Sequence, residues 1–451
     1  MKPRPPLSPG PYLVLGLARS GIAAALTLRA RGEKVIGCDL RGPEAPALAV
    51  AAAQLRDAGV EVQLGSTGEA LTARARTLVK SPGVPQAAPA VRAARDRGLP
   101  VLGELELAWR LLPNEFVAIT GTNGKTTTTE WIGHIHRESG LPVAVAGNVG
   151  TAVSSLVRAV PPEATVVCEA SSFQLEDSDA FAPEAAVLLN LAPDHLDRHP
   201  SYEDYVAAKL RIFANQGNDD IAVAPADLDV VDLGGCARRI LFGEGAHAEM
   251  TSRSGYLWWD EEPLLRASEI SLPGDHNRQN AMAAAAVCLA RGIGTEAVAA
   301  GLRSFGGVAH RLELIATEDG VRFVNDSKAT NVASTLVALR SYPGGVHLIA
   351  GGRGKQQDFS PLAPVVAERC EAVYVIGEAA GEIARALAPA EVPVLMLGDL
   401  EHALTAARSA AQSHEIILLS PACASFDQYD NFEQRGDHFR ALVLGTRTTG
   451  D

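Results

Sequence analysis

Lysine is scarce in this 451-residue chain, where arginine outnumbers it 33 to 7. Arginine serves wherever a long side chain need only be charged. Of the lysines that remain (Lys2, Lys34, Lys80, Lys125, Lys209, Lys328 and Lys355), four fall in the polar motifs below and Lys80 immediately precedes Ser81-Pro82-Gly83. That distribution favours use of a compact amine that can lose its proton when buried. Positive charge is in deficit overall, with a net charge of −13. That excludes a general nucleic-acid binder, which needs a basic face, but not a small anionic substrate held in a local positive pocket. The six cysteines are scattered, with no Cys-x-x-Cys pair, and read as isolated thiols of a reducing compartment rather than a disulfide framework or zinc site. The longest apolar run, residues 281–290, is about half of what a membrane span requires. The first eleven residues hold five prolines and no apolar stretch, unlike a signal peptide. These absences predict a cytoplasmic protein without membrane or nucleic-acid partners. The lack of an amphipathic stripe outside the core favours a monomer.

Apolar residues make up 47% and charged ones 21%, an ordinary globular balance. At roughly 150 residues per domain the length suits about three domains. Short apolar runs alternate with helical stretches, the pattern of parallel sheets covered by helices, so the fold class is α/β. A first block predicts strands at 12–16 and 34–38, one ending at 79 and one beginning at 100, with a helix over 20–31. A second predicts strands at 116–120, 165–168 and 185–191, a hairpin within 248–272, and a helix over 202–213. A third predicts strands at 321–324, 346–350, 372–376, 392–396 and 416–419. Turns at 112–115 and 306–310 are the candidate joints.

The strongest motif runs from the apolar strand 116–120 into Gly121-Thr122-Asn123-Gly124-Lys125-Thr126-Thr127, with a helical pattern from Thr128. Glycines let backbone N–H groups wrap phosphate oxygens, a helix N-terminus adds its dipole, and Thr126 can hold Mg²⁺. Ile119 stands where the standard spacing has glycine, so this is a shortened phosphate loop. Glu169 follows one predicted strand and Pro193-Asp194-His195 another. Ligands of open parallel sheets bind beyond the carboxyl ends of strands, which turns the phosphate loop, Glu169 and His195 to one crevice. Carboxylate oxygen suits Mg²⁺, and histidine serves as ligand or proton handler. Lys209 shares a helix face with Tyr205 and Phe213, so it points inward as a reactive desolvated amine or snorkels to the surface.

In the first block, Gly16-Leu-Ala-Arg-Ser-Gly21 joins a strand to a helix, and Asp39 closes the next strand. This approximates a dinucleotide fingerprint, except that Ala18 replaces the glycine against which a pyrophosphate packs. A dehydrogenase is a poor fit. A nucleotide diphosphate ligand is a better one, with Ala18, Arg19, Ser20, Asp39, Arg41 and Ser81-Pro82-Gly83 as its contacts; a purely structural turn is the alternative.

Taken together, Thr120–Thr127, Glu169-Ala-Ser-Ser-Phe-Gln174, Asn190-Leu-Ala-Pro-Asp-His-Leu-Asp197, Gly274-Asp-His-Asn-Arg-Gln-Asn280, His310-Arg311, Asn325-Asp-Ser-Lys-Ala-Thr-Asn331 and the segment 420–436 resemble the Mur ligases. Segment 420–436 is similar to that of the family's D-glutamate-adding branch. The resemblance implies three domains: 1–105, Rossmann-like, for a UDP-sugar; 106–308, a P-loop ATPase-like domain on a parallel or mixed sheet; and 309–451, Rossmann-like, for the amino acid. It implies an ATP-dependent ligase of peptidoglycan synthesis that joins UDP-N-acetylmuramoyl-L-alanine and D-glutamate through an acyl phosphate. By the same resemblance Lys125 and Arg311 hold ATP phosphates, and Lys328 lies near the transferring phosphoryl group. Thr126 and Glu169 bind one Mg²⁺, while Glu169, His195 and Lys209, the last as a carbamate made from CO₂, bind a second. His276, Asn277 and Asn280 lie by the adenine and Asp326 by the ribose; capping of a helix start is the alternative for His276 and Asn277. Asn148 contacts the muramoyl part. Thr330, Lys355, Ser425 and Phe432 hold D-glutamate, with Arg353 at a place that is acidic in some relatives. No Asp-Asn-Pro-Arg stretch of the diaminopimelate-adding branch is present. Folylpolyglutamate synthesis and a bare P-loop ATPase are the rival activities.

Overall fold

The computed structural model describes residues 2–44, 46–148, 150–195, 198–228, 232–245, 247–354 and 357–445. The chain forms two compact units, Met1–Phe305 and Gly306–Asp451. The first contains two sheets and the second one.

The first sheet is parallel throughout: β1 (Tyr12–Leu15), β2 (Val35–Asp39), β3 (Glu61–Leu64), β4 (Thr77–Lys80) and β5 (Val101–Gly103), in the order β3-β2-β1-β4-β5. Strands β1, β2 and β4 are buried along their whole length, as strands covered on both faces must be. The winding reverses at β1, so the loops leaving β1 and β4 open a single crevice. Gly21 keeps those loops together: a Cβ there would lie 1.8 Å from the Gly16 carbonyl oxygen.

The second sheet contains β6 (Phe116–Thr120), β7 (Val143–Gly147), β8 (Thr165–Glu169), β9 (Ala185–Leu188), β10 (Ile221–Pro225), β11 (Arg238–Phe242), β12 (Met250–Arg253), β13 (Tyr256–Trp259) and β14 (Glu262–Arg266). Its order is β14-β13-β12-β11-β10-β9-β6-β8-β7, which sets β6 between β8 and β9. The predicted strand 185–191 stops at Leu188 because the chain turns to the phosphate loop, where Asn190 O accepts from Thr122 N at 3.1 Å. The predicted hairpin within 248–272 is a three-stranded meander, β12–β14, whose tight turns carry left-handed Ser254 (φ 51°) and Asp260 (φ 50°). The helix after the phosphate loop begins at Lys125 rather than Thr128, and the helix predicted over 202–213 is Tyr202–Leu210. The run 281–290 belongs to the helix Asp275–Ala290, buried from Asn280 to Cys288 against Lys125–Glu138. Its alanines permit that close approach. No helix among the described residues is long and apolar enough to cross a membrane.

The seam between these two sheets combines buried polar anchors with apolar packing, Leu107 lying in the first sheet's core and Leu105, Ala108 and Trp109 in the second's. In the helix Glu104–Leu111, buried Glu106 accepts from the backbone N–H groups of Asp179 (3.1 Å), Ala180 (3.2 Å) and Phe181 (2.9 Å) and from Arg110 Nε (2.6 Å). The proline-rich N-terminal segment crosses the same seam. Arg4 stacks 4.2 Å over Trp109 and pairs with Glu184 at 3.2 Å, and Lys2 pairs with Asp220. Glu106→Ala would leave three backbone donors and a guanidinium without their acceptor. It is expected to lower the unfolding free energy by about 3–5 kcal/mol, read from the urea midpoint at constant slope. A loss below about 1 kcal/mol would show that water replaces the carboxylate there.

The third sheet contains β15 (Glu313–Glu318), β16 (Val321–Asn325), β17 (Val346–Gly351), β18 (Cys370–Ile376), β19 (Val394–Gly398) and β20 (Ile416–Leu419), ordered β15-β16-β20-β17-β18-β19. Only β15 runs antiparallel to its neighbour. Because β16 and β20 pair in parallel, the segments after Asn325 and Leu419 leave side by side.

Candidate active site

The phosphate loop leaves β6 through Gly121 (φ 150°) and enters the helix Lys125–Glu138 through Gly124 (φ 82°). Both glycines are forced by crowding as well as by φ. A Cβ on Gly121 would lie 2.9 Å from Leu189 Cβ, and one on Gly124 would lie 2.2 Å from Asn280 Oδ1. Asn280, from the second turn of Asp275–Ala290, therefore flanks the phosphate loop. His276 and Asn277 lie in that helix's first turn. The capping alternative for them is not observed: Gly274 is the N-cap, no side chain caps the helix, and Asn277 Nδ2 donates to Pro273 O at 2.8 Å. The loop is also tied to the segment after β9 by Asn190, whose Oδ1 accepts from Asn123 N (2.9 Å) and whose Nδ2 donates to Asn123 O (3.1 Å).

Around this loop the structure gathers Thr126, Glu169, Asn148, Lys125 and Lys209. Thr126 Oγ1 donates to Glu169 Oε2 at 2.7 Å, and Asn148 Nδ2 donates to Glu169 Oε1 at 3.1 Å. Glu169 is 3% exposed, at the end of β8 beside β6. Lys209 Nζ donates to Gly121 O at 2.7 Å, the same oxygen that Lys125 Nζ reaches at 2.9 Å. Lys209 thus points inward, 1% exposed and 4.5 Å above the Tyr205 ring, and Tyr205 in turn bonds Thr122 through its hydroxyl (3.0 Å). Burial and the nearby Lys125 charge lower the Lys209 amine from 10.5 to about 7.

His195 lies at the exposed edge of that buried group, its ring centroid 6.5 Å from that of Tyr205. It takes a left-handed conformation (φ 53°), is half exposed, and packs on Phe173 with ring centroids 4.9 Å apart. No cluster of three or more His, Cys, Asp or Glu side chains placed to hold a metal occurs among the described residues. The donor set suits Mg²⁺ nonetheless. That ion is commonly held by one or two carboxylates, with water and substrate phosphate completing its shell, and here a buried carboxylate stands beside a hydroxyl at a phosphate loop.

At the first sheet's crevice, Gly16 (φ 87°) is the turn, and Ala18, Arg19 and Ser20 open the helix Arg19–Ala30. Arg19 reaches Gly150 O beyond β7. Asp39 does not project freely into the crevice. Its carboxylate accepts from Leu17 N (2.8 Å), Arg41 N (3.0 Å), Arg41 Nε (3.0 Å) and Arg41 Nη2 (2.9 Å). Burial alone would raise its pKa, but those bonds outweigh it and hold the group below the usual carboxylate range. Gly83 is exposed, with open space where a Cβ would point.

In the second unit, Asp326 and Ser420 leave the adjacent strands β16 and β20. Ser420 Oγ donates to Asp326 Oδ2 at 2.7 Å, and Leu312 N to Oδ1 at 3.2 Å. Burial raises Asp326 from 3.8 to about 7 despite those bonds. Lys328 and Thr330 follow, Lys328 half-buried and Thr330 likewise, while Arg311 is exposed. Ser425 is 2% exposed, and its hydroxyl has no hydrogen-bond partner among the described residues. Phe432 opens the helix Phe432–Leu444 with its ring 6.2 Å from His310. Lys355 lies outside the described residues. Sequence reasoning misses Arg435, whose buried guanidinium donates to Ser327 Oγ (2.9 Å), Ser327 O (2.8 Å) and Cys423 O (3.2 Å), joining the segments around β16 and β20. A lone cation among the acidic and neutral residues of 420–436 is the available signal. Arg353 pairs in two-toothed fashion with Glu378 (both 3.0 Å), at the surface.

Three family models match the chain in order: the Mur ligase MurD-like N-terminal domain at 11–103, the Mur ligase middle domain at 119–288, and the Mur ligase glutamate ligase domain at 310–423. A relative from Acidobacterium capsulatum named UDP-N-acetylmuramoylalanine--D-glutamate ligase is 44% identical over 448 residues, 96% of each chain. One of the same name from Pelotomaculum thermopropionicum is 41% identical, covering 96% of this chain and 97% of its own. The solved UDP-N-acetylmuramate-alanine ligase of Thermotoga maritima shares the fold with a TM-score of 0.59 at 19% identity, across 97% of this chain and 100% of that one. With its three α/β domains and a phosphate loop flanked by Glu169, Lys209 and Asn280, the chain belongs to the Mur ligase family.

Proposed function

We propose that this chain joins D-glutamate to UDP-N-acetylmuramoyl-L-alanine at the expense of ATP, a step of peptidoglycan synthesis. The identity to relatives of that name, spread over nearly the full length of both chains, carries this reading. A carboxylate is a poor electrophile. Its oxygen attacks the γ-phosphorus of ATP, the bond to ADP breaks, and the acyl phosphate forms. The D-glutamate amine then attacks the acyl carbon, loses a proton, and the tetrahedral adduct expels inorganic phosphate.

Phosphoryl transfer is mostly positioning and charge neutralisation. Lys125 and the head of the helix Lys125–Glu138 cradle the β- and γ-phosphates, with the loop shaped for them by Asn190, which holds the Thr122 and Asn123 N–H groups. Arg311 and Lys328 add positive charge to the phosphates, with His276, Asn277 and Asn280 beside the base and Asp326 at the ribose. Thr126 and Glu169 would hold one Mg²⁺, and Glu169, His195 and carbamylated Lys209 a second; these ions would neutralise phosphate charge. The Lys209 amine at about 7 is partly neutral at physiological pH, which supports its addition to CO₂, forming an N–C bond and releasing a proton. For D-glutamate, the buried hydroxyl of Ser425, without a hydrogen-bond partner among the described residues, is the supporting observation, since a carboxylate would satisfy it. Thr330, Lys355 and Phe432 complete that subsite. The muramoyl part is assigned to Asn148, and the UDP moiety to Ala18, Arg19, Ser20, Asp39, Arg41 and Gly83.

The test is ADP release with ATP, Mg²⁺ and UDP-N-acetylmuramoyl-L-alanine, adding D-glutamate, L-glutamate, L-alanine, L-lysine or diaminopimelate singly. Release that requires D-glutamate is the expected result. Release with another acceptor would overturn the assignment of Ser425 and Phe432, and release indifferent to every acceptor would reduce the protein to an ATPase.

A further inference from the structure

The segment Ser81-Pro82-Gly83-Val84 leaves β4 at the crevice of the first sheet, and its carbonyls converge on one guanidinium. Arg198 Nη2 donates to Pro82 O (3.0 Å) and Val84 O (2.7 Å), and Nη1 donates to Gly83 O (3.3 Å). A second cation closes the same turn: Lys80 Nζ donates to Val84 O at 2.8 Å and pairs with Asp177 Oδ2 at 2.7 Å. This ion pair is 0% and 3% exposed at its two side chains. Gln86 Nε2 fixes the other Asp177 oxygen at 2.7 Å, and Gly103 N donates to the Asp177 carbonyl at 3.2 Å.

Two of these anchors come from the second sheet. Arg198 stands three positions after His195 and lies 4.7 Å over the Phe173 ring, which also packs on His195 and on His199 (5.4 Å). Asp177 follows the helix Ser172–Leu175, which β8 and Glu169 lead into. A loop of the first sheet is thus held by groups in the segments that follow β8 and β9, the same segments that position Glu169 and His195. With its carbonyls drawn toward Arg198, the loop leaves Gly83 exposed to solvent. A buried ion pair adds little net stability but defines one arrangement, and a misplacement of about 1 Å between reacting groups can cost roughly 10²-fold in rate.

We propose that Arg198 and Lys80 are positioning residues for the nucleotide-sugar: by clamping the 81–84 loop to the Glu169 and His195 side of the second sheet, they set where the bound substrate's carboxylate meets the phosphate loop. This rests on the ligase reading above. The test is steady-state kinetics of Arg198→Ala, Arg198→Lys and Lys80→Met, with unfolding midpoints measured alongside. For Arg198→Ala, KM for UDP-N-acetylmuramoyl-L-alanine should rise roughly tenfold or more while KM for ATP stays within about twofold. Added guanidinium ion should restore part of the loss, and Arg198→Lys should fall between; it also carries the test if the alanine variant does not fold. Unchanged nucleotide-sugar KM in a folded variant, or an equal rise in both KM values, would overturn the proposal. Calorimetric binding of UDP-N-acetylmuramoyl-L-alanine alone separates this from the parent reading. If the unmodified protein shows no D-glutamate-dependent turnover, the ligase reading falls. The positioning role then stands or falls on whether Arg198→Ala weakens that binding tenfold.

Discussion

Lys209→Ala is expected to lose turnover by at least roughly 10³-fold, about 4 kcal/mol of transition-state stabilisation, and to regain part of it with formate or acetate. A carbamate on Lys209 would place an anionic oxygen beside Lys125 and the Gly121 carbonyl, where the amine now makes its 2.7 Å bond. The short acid returns a carboxylate to the space that truncation opens. Arginine at this position cannot form the adduct, so Lys209→Arg should stay inactive with or without formate. The pH dependence has a definite sign. With the amine pulled down to about 7, about half is neutral at pH 7, against well under 1% for an unshifted lysine. Since the neutral amine attacks CO₂ and the step releases a proton, carbamate occupancy should rise from about pH 6 to 8 at fixed CO₂. The formate-rescued variant should lack that rise. Full activity in unrescued Lys209→Ala would remove the residue from the chemistry, and ¹³CO₂ labelling read by NMR checks the adduct itself.

Glu169→Gln should cost roughly 10²- to 10³-fold in turnover, with part recovered at elevated Mg²⁺ or with Mn²⁺. The substitution is isosteric. Its single remaining oxygen can still accept from the Thr126 hydroxyl, and the Asn148 amide can turn to accept the new N–H. Folding should therefore persist, with an unfolding midpoint close to that of the unmodified protein. What disappears is one negative charge from a nearly closed site, where the Thr126 hydroxyl and the Asn148 amide that bond the carboxylate are both neutral. Unaltered turnover and Mg²⁺ dependence would exclude Glu169 from holding the ion.

The parts of the site that lie close together in the chain are legible in the amino-acid sequence. Gly121 to Thr127 announces a phosphate loop because its glycines and cation are contiguous, and the scarcity of lysine singles out Lys209, Lys328 and Lys125. Glu169 is legible as an acid at a strand end, and its strand neighbours β6. Less legible are contacts between distant segments. The Asn190 carboxamide spans 67 positions to Asn123, and Arg198 reaches back 116 positions to Pro82. Neither pairing leaves a periodic trace. The spacing of Asp39 from Gly16 marks it as a candidate ligand contact but gives no sign of the four bonds that its oxygens accept from Leu17 and Arg41. Strands β3, β7, β10, β11 and β15 escape a reading by apolar runs for related reasons: β7 and β10 are alanine-rich, while β3, β11 and β15 carry polar residues.

The N-terminal segment that bridges the seam constrains the order in which the chain acquires its structure during synthesis. Lys2 and its partner Asp220 are 218 positions apart, and Arg4 and Glu184 are 180 apart. The first sheet has all of its strands once Gly103 has emerged from the ribosome, yet Arg4 and Lys2 must wait for Glu184 and Asp220 to be made before they find their partners. Loop-closure entropy opposes such distant pairings until the second sheet has formed to reward them. Docking of residues 2–4 therefore follows the first sheet and reports that the chain up to Asp220 has been made. Protection of their amides in a pulse-labelled nascent chain would time it.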